Sequence, residues 1–275
     1  MNETLKFQGG VAVITGAASG IGSGLVRQAL AEGMRVVAAD VQAERLREFT
    51  ATLSGEVLAV PTDVSDPESV EALARRAWQA YGGVDLLFNN AGIMATGFSW
   101  QVEPARWRRS FEVNVHGIHH ALRAFVPRLL EQGRPAQIVN TASVGGFLAS
   151  PLMSPYSATK FAVVALTEAL RGELEMLGSP VGVSLLAPGP VISGIFDDPF
   201  GPQAQQEPAV QQFVELMRSM LQQNGLTPEA FARRVFDGLR QRQFWLIPQP
   251  EAFDELFRQK AADVLARRNP VLPRF

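Results

Sequence analysis

Seven residues, Gly16-Ala-Ala-Ser-Gly20-Ile21-Gly22, separate an apolar run from a helical pattern, and they restrict the fold of this chain more than any other stretch. Val11-Ala-Val-Ile14 reads as a short buried strand closed by Thr15-Gly16. After Gly22 the apolar positions Leu25, Ala29 and Leu30 follow helical spacing. Glycines at this junction let the backbone turn tightly and let a ligand approach it closely. The helix N-terminus adds free N–H groups and a positive dipole end. A pyrophosphate suits such a turn, with Gly16, Ser19, Gly20, Ile21 and Gly22 as its contacts; a plain glycine-rich strand–helix turn has the same composition. The spacing is Gly-x-x-x-Gly-x-Gly, not the commoner Gly-x-Gly-x-x-Gly.

The rest of the chain repeats the strand–helix alternation. Arg35-Val-Val-Ala-Ala39 is a second strand ending in Asp40, placed to hold the two ribose hydroxyls of an adenosine. Its carboxylate also repels a 2′-phosphate, and no Arg or Lys follows at positions 41 to 44, so NAD is favoured over NADP. Val57 to Val60 is a third strand, leading into Thr62-Asp63-Val64-Ser65 and a helix that starts at Asp66-Pro67-Glu68. Asp63 either reaches an adenine amino group, with Val64 beside it, or shapes the turn. Val84 to Phe88 is a fourth strand, closed by Asn89-Asn90-Ala91-Gly92, whose small and amide residues let a cofactor pass close to the sheet. A helix from about Ala105 to Leu130 holds Asn114 and all three histidines, His116, His119 and His120. No carboxylate or third ligand accompanies His116 and His120, so no metal is expected, and a helical surface or subunit contact is the better reading.

Gln137 to Asn140 is a fifth strand, running into Thr141-Ala142-Ser143 and a Gly145-Gly146 loop. A helix to about Leu177 follows, then a sixth strand over Val181 to Leu186 that ends in Pro188-Gly189-Pro190-Val191. This alternation predicts an α/β fold: one Rossmann-type domain over residues 1–275, a doubly wound parallel sheet of about seven strands with helices on both faces. Ligands are expected at its carboxyl edge. Over 193–225 the composition shifts towards Pro, Gln and Asp, and Glu207 to Leu221 is amphipathic, either a substrate lid or an extra packing helix. Thr227-Pro228-Glu229 caps another helix, Phe244 to Ile247 is a last short strand, and a helix over 250–268 is added at the end.

Composition excludes several classes. With 47% hydrophobic and 19% charged residues, a 275-residue chain of net charge −2 has no electrostatic footprint for nucleic acid or an anionic membrane. The absence of cysteine removes disulfides, thiolate metal sites and thiol catalysis. No signal peptide is legible, and no segment approaches the ~20 apolar residues of a membrane span, so the cytoplasm is the default expectation.

Chemistry concentrates in Tyr156-Ser157-Ala158-Thr159-Lys160. On a helix, positions four apart share one face, so the Tyr156 hydroxyl and the Lys160 ammonium would share one environment. A nearby cation favours the phenolate. An unperturbed Tyr titrates near ~10, so acid/base work at neutral pH needs about 4 kcal/mol of differential stabilisation, more than one lysine readily supplies. A bound cationic cofactor would add to it.

Thr15-Gly-x-x-x-Gly-Ile-Gly22, Asn89-Asn-Ala-Gly92, Ser143 and Tyr156-x-x-x-Lys160 occur in that order, and the combination resembles the short-chain dehydrogenase/reductase family in its compact single-domain form. The resemblance covers roughly residues 7 to 195 and implies a role for each matching position. Tyr156 is the general acid/base that takes the alcohol proton as hydride leaves for the nicotinamide. Lys160 bonds the nicotinamide ribose and lowers the Tyr156 pKa, Ser143 holds the substrate oxygen, and Asn114 supports a water relay. Asn90, Ala91 and Gly92, with Pro188, Gly189, Val191 and Ser193, join the cofactor contacts, Ser193 standing where the family often has Thr. The family's usual C-terminal tetramer segment is replaced by Phe244-Trp-Leu-Ile-Pro-Gln-Pro and a helix. The expected assembly is a homodimer, through the helices holding Asn114 and Tyr156, or a homotetramer.

The expected activity is NAD-dependent interconversion of a secondary alcohol and its ketone. The segments expected to line the pocket, Met94 to Phe98, Val144 to Leu148, Met153, Pro190 to Phe196 and the lid, are mostly apolar and offer Phe98, Phe147, Phe196 and Phe200 for stacking. The substrate is therefore expected to be apolar, aromatic or alicyclic. Two rival readings remain: a non-catalytic dinucleotide-binding sensor or scaffold on the same fold, and an NADPH-dependent carbonyl reductase, against which Asp40 argues.

Overall fold

The computed structural model describes residues 5–199 and 207–271. Seven strands lie in one parallel sheet: β1 (Val11–Thr15), β2 (Arg35–Asp40), β3 (Val57–Pro61), β4 (Leu86–Asn89), β5 (Ala136–Thr141), β6 (Val181–Leu186) and β7 (Trp245–Leu246). Their order is β3-β2-β1-β4-β5-β6-β7. The chain winds outwards from β1 in one direction and returns to build the other half from β4, so the strand order reverses between β1 and β4. A crevice opens at their carboxyl ends, where a doubly wound sheet takes its ligand.

Burial on both faces explains the apolar strands. Val11 and Val13 of β1 face one core with Leu73, Leu87, Phe125 and Ile138. Ala12 and Ile14, on the alternate positions, face a second core with Leu25, Val26, Phe231 and Phe236. The first core is covered by α3 (Pro67–Tyr81), α5 (Gly117–Gln132) and α6 (Ser154–Met176), the second by α1 (Gly20–Ala31) and α8 (Pro228–Arg240). Helices α1 and α8 meet closely at Gly24, where a β-carbon would lie 2.3 Å from the Pro228 carbonyl oxygen.

The predicted sheet and most predicted helices are present, with three differences. A helix α2 (Ala43–Ala51) follows β2; only its Leu46 is buried, so it carries almost no periodic apolar signal. The predicted helix from Ala105 to Leu130 is a run from α4 (Pro104–Phe111) into α5, broken by a π-helical turn over Glu112–His116. There the Gly117 N–H reaches the Glu112 carbonyl, five residues back. The added helix α9 (Pro250–Leu265) ends three residues earlier than the sequence implies and buries none of its own residues. Helix α7 (Pro208–Asn224) occupies the amphipathic stretch predicted over Glu207 to Leu221.

Candidate active site

The glycine turn is built on left-handed backbone, which glycine adopts without strain. Gly16 and Gly20 have φ of +65° and +49°. A β-carbon on Gly16 would lie 2.9 Å from the Ala91 Cα, and one on Gly22 would lie 1.9 Å from the Gly16 carbonyl oxygen. The turn is thus pressed against the end of β4 and coiled on itself. Ser19 stands at the start of α1 without capping it through its side chain, which leaves the first N–H groups of the helix for a ligand. Ser193 approaches from above: its Cβ is 2.8 Å from where a Gly20 β-carbon would stand.

Thr15 and Asn90 lock the turn to the sheet. The Thr15 hydroxyl accepts the Asn90 and Ala91 N–H groups at 2.9 and 3.1 Å, and the Asn90 side chain donates to the Thr15 carbonyl at 2.9 Å. Asp40 does similar work from β2. One carboxylate oxygen accepts the Ala18 N–H at 3.0 Å and the other accepts the Gln42 N–H at 2.9 Å. Asp63 accepts both the backbone N–H and the hydroxyl of Ser65 and pairs with Arg109 at 3.4 Å. Burial alone would raise its pKa, but these partners hold the carboxyl below the usual value. Asp63 visibly shapes the turn before α3. Val64 is buried against Gly117, and its carbonyl meets His120 Nδ1 at 3.0 Å, which gives that histidine a structural partner. Among the described residues, no group of three or more His, Cys, Asp or Glu gathers that could hold a metal.

The four candidate catalytic side chains come together at the ends of β4 and β5. Lys160 is 3% exposed and donates to the Thr141 carbonyl at 2.8 Å, with its ammonium 5.5 Å from the centre of the Tyr156 ring. Ser143 accepts the Gly145 N–H at 3.0 Å and lies beside the Tyr156 hydroxyl, whose pKa it lowers. Asn114, fully buried in the π-turn, clasps the Ile93 backbone through both amide atoms, at 2.8 Å and 3.0 Å, and donates to Thr159 at 3.0 Å. Asn114 and Lys160 flank Gly92, where a β-carbon would lie 3.3 Å from the Asn114 Oδ1 and 3.5 Å from the Lys160 Nζ.

The electrostatics differ from the sequence expectation in one respect. Burial pushes the Tyr156 phenol above its ordinary value, and the Ser143 hydroxyl only partly opposes this. Lys160 does not bring it down in the chain alone, because burial also holds the Lys160 ammonium well below 10.5, at about 8.

A stability consequence follows. The unfolded chain binds the Lys160 proton between about pH 8 and 10.5 while the folded chain does not. The burial cost is fully present below pH 8, at about 3 kcal/mol for ~1.36 kcal/mol per pH unit, and fades towards pH 10.5. Denaturant unfolding of wild type and Lys160→Met is expected to show wild type gaining about 2 kcal/mol on the variant between pH 7 and about pH 9.5. A gap independent of pH would refute the buried ammonium.

An apolar cluster adjoins Tyr156. Met94, Phe196, Phe213 and Val214 are buried together, with Met153, Tyr156, Ile195 and Met217 packed on them. Two arginines that the sequence reading missed brace it through backbone carbonyls. Arg106 donates to Met94 and Asp198, and Arg218 donates to Phe196 at 2.7 Å. Phe147 does not join this cluster as expected. It packs edge-on against Trp245 and Phe257, which reach it from β7 and α9. Phe98 stacks on the exposed Trp100, 5.0 Å between ring centres. Phe200 lies outside the described residues. Also missed were Thr141, Thr159 and Gln249; Thr159 lies inside the Tyr156–Lys160 stretch, and the other two carry no local signal.

A family profile described as short chain dehydrogenase matches residues 10–200. A 1-deoxy-11-beta-hydroxypentalenate dehydrogenase of Streptomyces exfoliatus is 41% identical over 201 residues, spanning 70% of this chain and 72% of that protein. A C alpha-dehydrogenase of a Sphingobium species is 33% identical over 262 residues, spanning 91% and 84%. Among solved structures, a short chain dehydrogenase/reductase from Burkholderia phymatum in complex with NAD superposes with a TM-score of 0.93 at 39% identity. That match covers 98% of this chain and 99% of the other.

Proposed function

This chain belongs to the short-chain dehydrogenase/reductase family and is an oxidoreductase, and from that premise we propose that it interconverts a secondary alcohol and its ketone with NAD. The observation that carries the proposal is the convergence of Asn114, Ser143, Tyr156 and Lys160 beside the glycine turn, next to an apolar cluster. A binding module has no need of a buried ammonium beside a phenol.

The residues present fit the cofactor. Gly16, Gly20 and Gly22 form a cradle that β-carbons would fill, which suits a pyrophosphate at the open start of α1. Asp40 at the end of β2 suits the adenosine ribose, and Asp63 and Val64 border the adenine side. Asn90, Ala91 and Gly92 with Pro188, Gly189, Val191 and Ser193 would hold the nicotinamide half. The NAD present in the Burkholderia phymatum structure supports this assignment. When bound, the oxidised cofactor accepts hydride and brings a positive charge.

The chain's own part is to manage the proton. Tyr156 takes the alcohol proton, and Ser143, beside the phenol, orients the substrate oxygen against it. Lys160 supplies a cation that steadies the phenolate. Asn114 fixes the Ile93 backbone and keeps the wall beside Lys160 in place. The substrate is apolar, aromatic or alicyclic, because the cluster beside Tyr156 is apolar and Arg106 and Arg218 donate to backbone carbonyls around it. Helix α7, which contributes Phe213 and Val214, serves as the cover of the substrate site, and the enzyme works as a homo-oligomer.

The test follows NADH formation against a panel of apolar secondary alcohols. Turnover on any of them supports the proposal; NAD binding without turnover in either direction transfers the weight to a sensor. Cofactor choice is read separately. Asp40→Ala is expected to weaken NADH binding about 10–100-fold, the worth of hydrogen bonds to a charged group, and to raise NADPH binding relative to NADH. Part of that loss comes from Ala18, whose N–H loses its acceptor. Wild type binding NADPH as tightly as NADH would overturn the NAD assignment.

A further inference from the structure

Gln249, the residue before α9, is 6% exposed although α9 buries none of its own residues. Phe253 and Phe257 of α9 are only half-buried, so Gln249 is enclosed more fully than the helix it precedes. Its side-chain amide reaches back 60 residues. The Oε1 accepts the Gly189 N–H at 3.0 Å, and the Nε2 donates to the Pro190 carbonyl at 2.9 Å. One planar group thus satisfies a donor and an acceptor on successive residues, a fork that only a primary amide supplies. Gly189 is fitted to it: a β-carbon there would lie 2.8 Å from the Gln249 Oε1 and 2.4 Å from the Phe253 ring.

The clamped turn leads to the reacting groups. The Pro188 carbonyl accepts the Val144 N–H at 3.0 Å and the Ser143 hydroxyl at 3.4 Å, and Ser143 lies beside the Tyr156 hydroxyl. On its other side the turn continues to Ser193 over the glycine cradle. Gln249 is itself anchored. Its carbonyl accepts the Ala252 N–H, and Arg234 bonds both the Pro248 carbonyl at 2.6 Å and Glu251 at 2.7 Å.

We propose that Gln249 is a positioning residue that sets the Pro188–Val191 turn for the nicotinamide half of the dinucleotide, so that the C-terminal segment governs cofactor affinity without touching the cofactor. The inference rests on the NAD reading above. It assigns the clamp to one half of the ligand, since the adenosine half lies against Asp40 and the glycine turn.

Wild type, Gln249→Met and Gln249→Glu are titrated with NADH by fluorescence and with ADP-ribose by calorimetry. Met removes both hydrogen bonds at similar volume; Glu keeps the acceptor for Gly189 and turns an oxygen against the Pro190 carbonyl. Both variants are expected to weaken NADH about tenfold, the scale of one or two neutral hydrogen bonds, and to leave ADP-ribose within about twofold. NADH affinity unchanged in either folded variant overturns the clamp. So does a parallel loss of ADP-ribose, which is the mark of general loosening. Wild type binding ADP-ribose but not NADH, or neither, instead sinks the NAD reading and takes the clamp's role with it.

Discussion

Tyr156→Phe is expected to lower kcat by about 10²–10⁴-fold, the range of a lost general acid/base, with NADH affinity within about twofold of wild type. The substitution removes one oxygen and nothing else. The ring keeps its place against Met94, Phe196 and Met153, and Lys160 keeps the aromatic face 5.5 Å from its ammonium. What disappears is the hydroxyl beside Ser143. Because burial holds that phenol above its ordinary value in the chain alone, the phenolate depends on charge arriving with the cofactor. Single-turnover kinetics with a reactive alcohol separates this from slow product release. Wild-type turnover by the phenylalanine variant would falsify the acid/base role.

Gly22→Ala is expected to be the most damaging single methyl in the molecule. The new carbon would stand 1.9 Å from the Gly16 carbonyl oxygen and 2.9 Å from the Asn90 amide nitrogen. Neither neighbour has room to yield. Gly16 is backbone in a left-handed turn, and the Asn90 amide is held on the Thr15 carbonyl. Overpacking against backbone costs on the order of 3 kcal/mol, and a turn that opens to relieve it weakens NADH binding about 100-fold, the same free energy read as affinity. The control is Gly172→Ala on the exposed face of α6, where a β-carbon meets nothing within 4 Å. It is expected to raise stability by about 0.5–1 kcal/mol through helix propensity. Thermal melts and NADH titration distinguish the pair. Equal behaviour of the two variants would mean that the turn tolerates a side chain and that its glycines are not there for a close approach.

Much of this was readable from residues alone because the signals are local. Runs such as Val11 to Ile14 mark buried strands, the glycine spacing marks the turn, and Tyr156 with Lys160 needs only one helical turn to meet. The unreadable parts depend on contacts between distant segments. Nothing near position 249 announces that its amide will be used at 189 and 190. Arg106 and Arg218 look like ordinary helix-surface charges until their carbonyl acceptors are known. Chain proximity places Phe147 with the pocket segments, but its ring packs instead on Trp245 and Phe257 from distant parts of the chain. Helix α2 escaped notice because a nine-residue helix with one buried side chain has no period to detect. Asp40 stood out by spacing as a ribose partner; its second task, holding the Ala18 and Gln42 N–H groups, is a property of the folded turn.

The π-turn at Glu112–His116 bears on how this protein can change over generations. A wide turn of this kind holds one residue more than an α-helix needs, and each residue in a helix accounts for about 100° of rotation at ~3.6 residues per turn. Exchange of one side chain for another leaves that surplus in place, so point substitutions at neighbouring positions reshape the surface of the helix while Asn114 stays facing Ile93 and Thr159. Loss of a single codon would instead restore a regular helix and swing Asn114 away from both. The region is therefore tolerant of spelling changes and intolerant of changes in length.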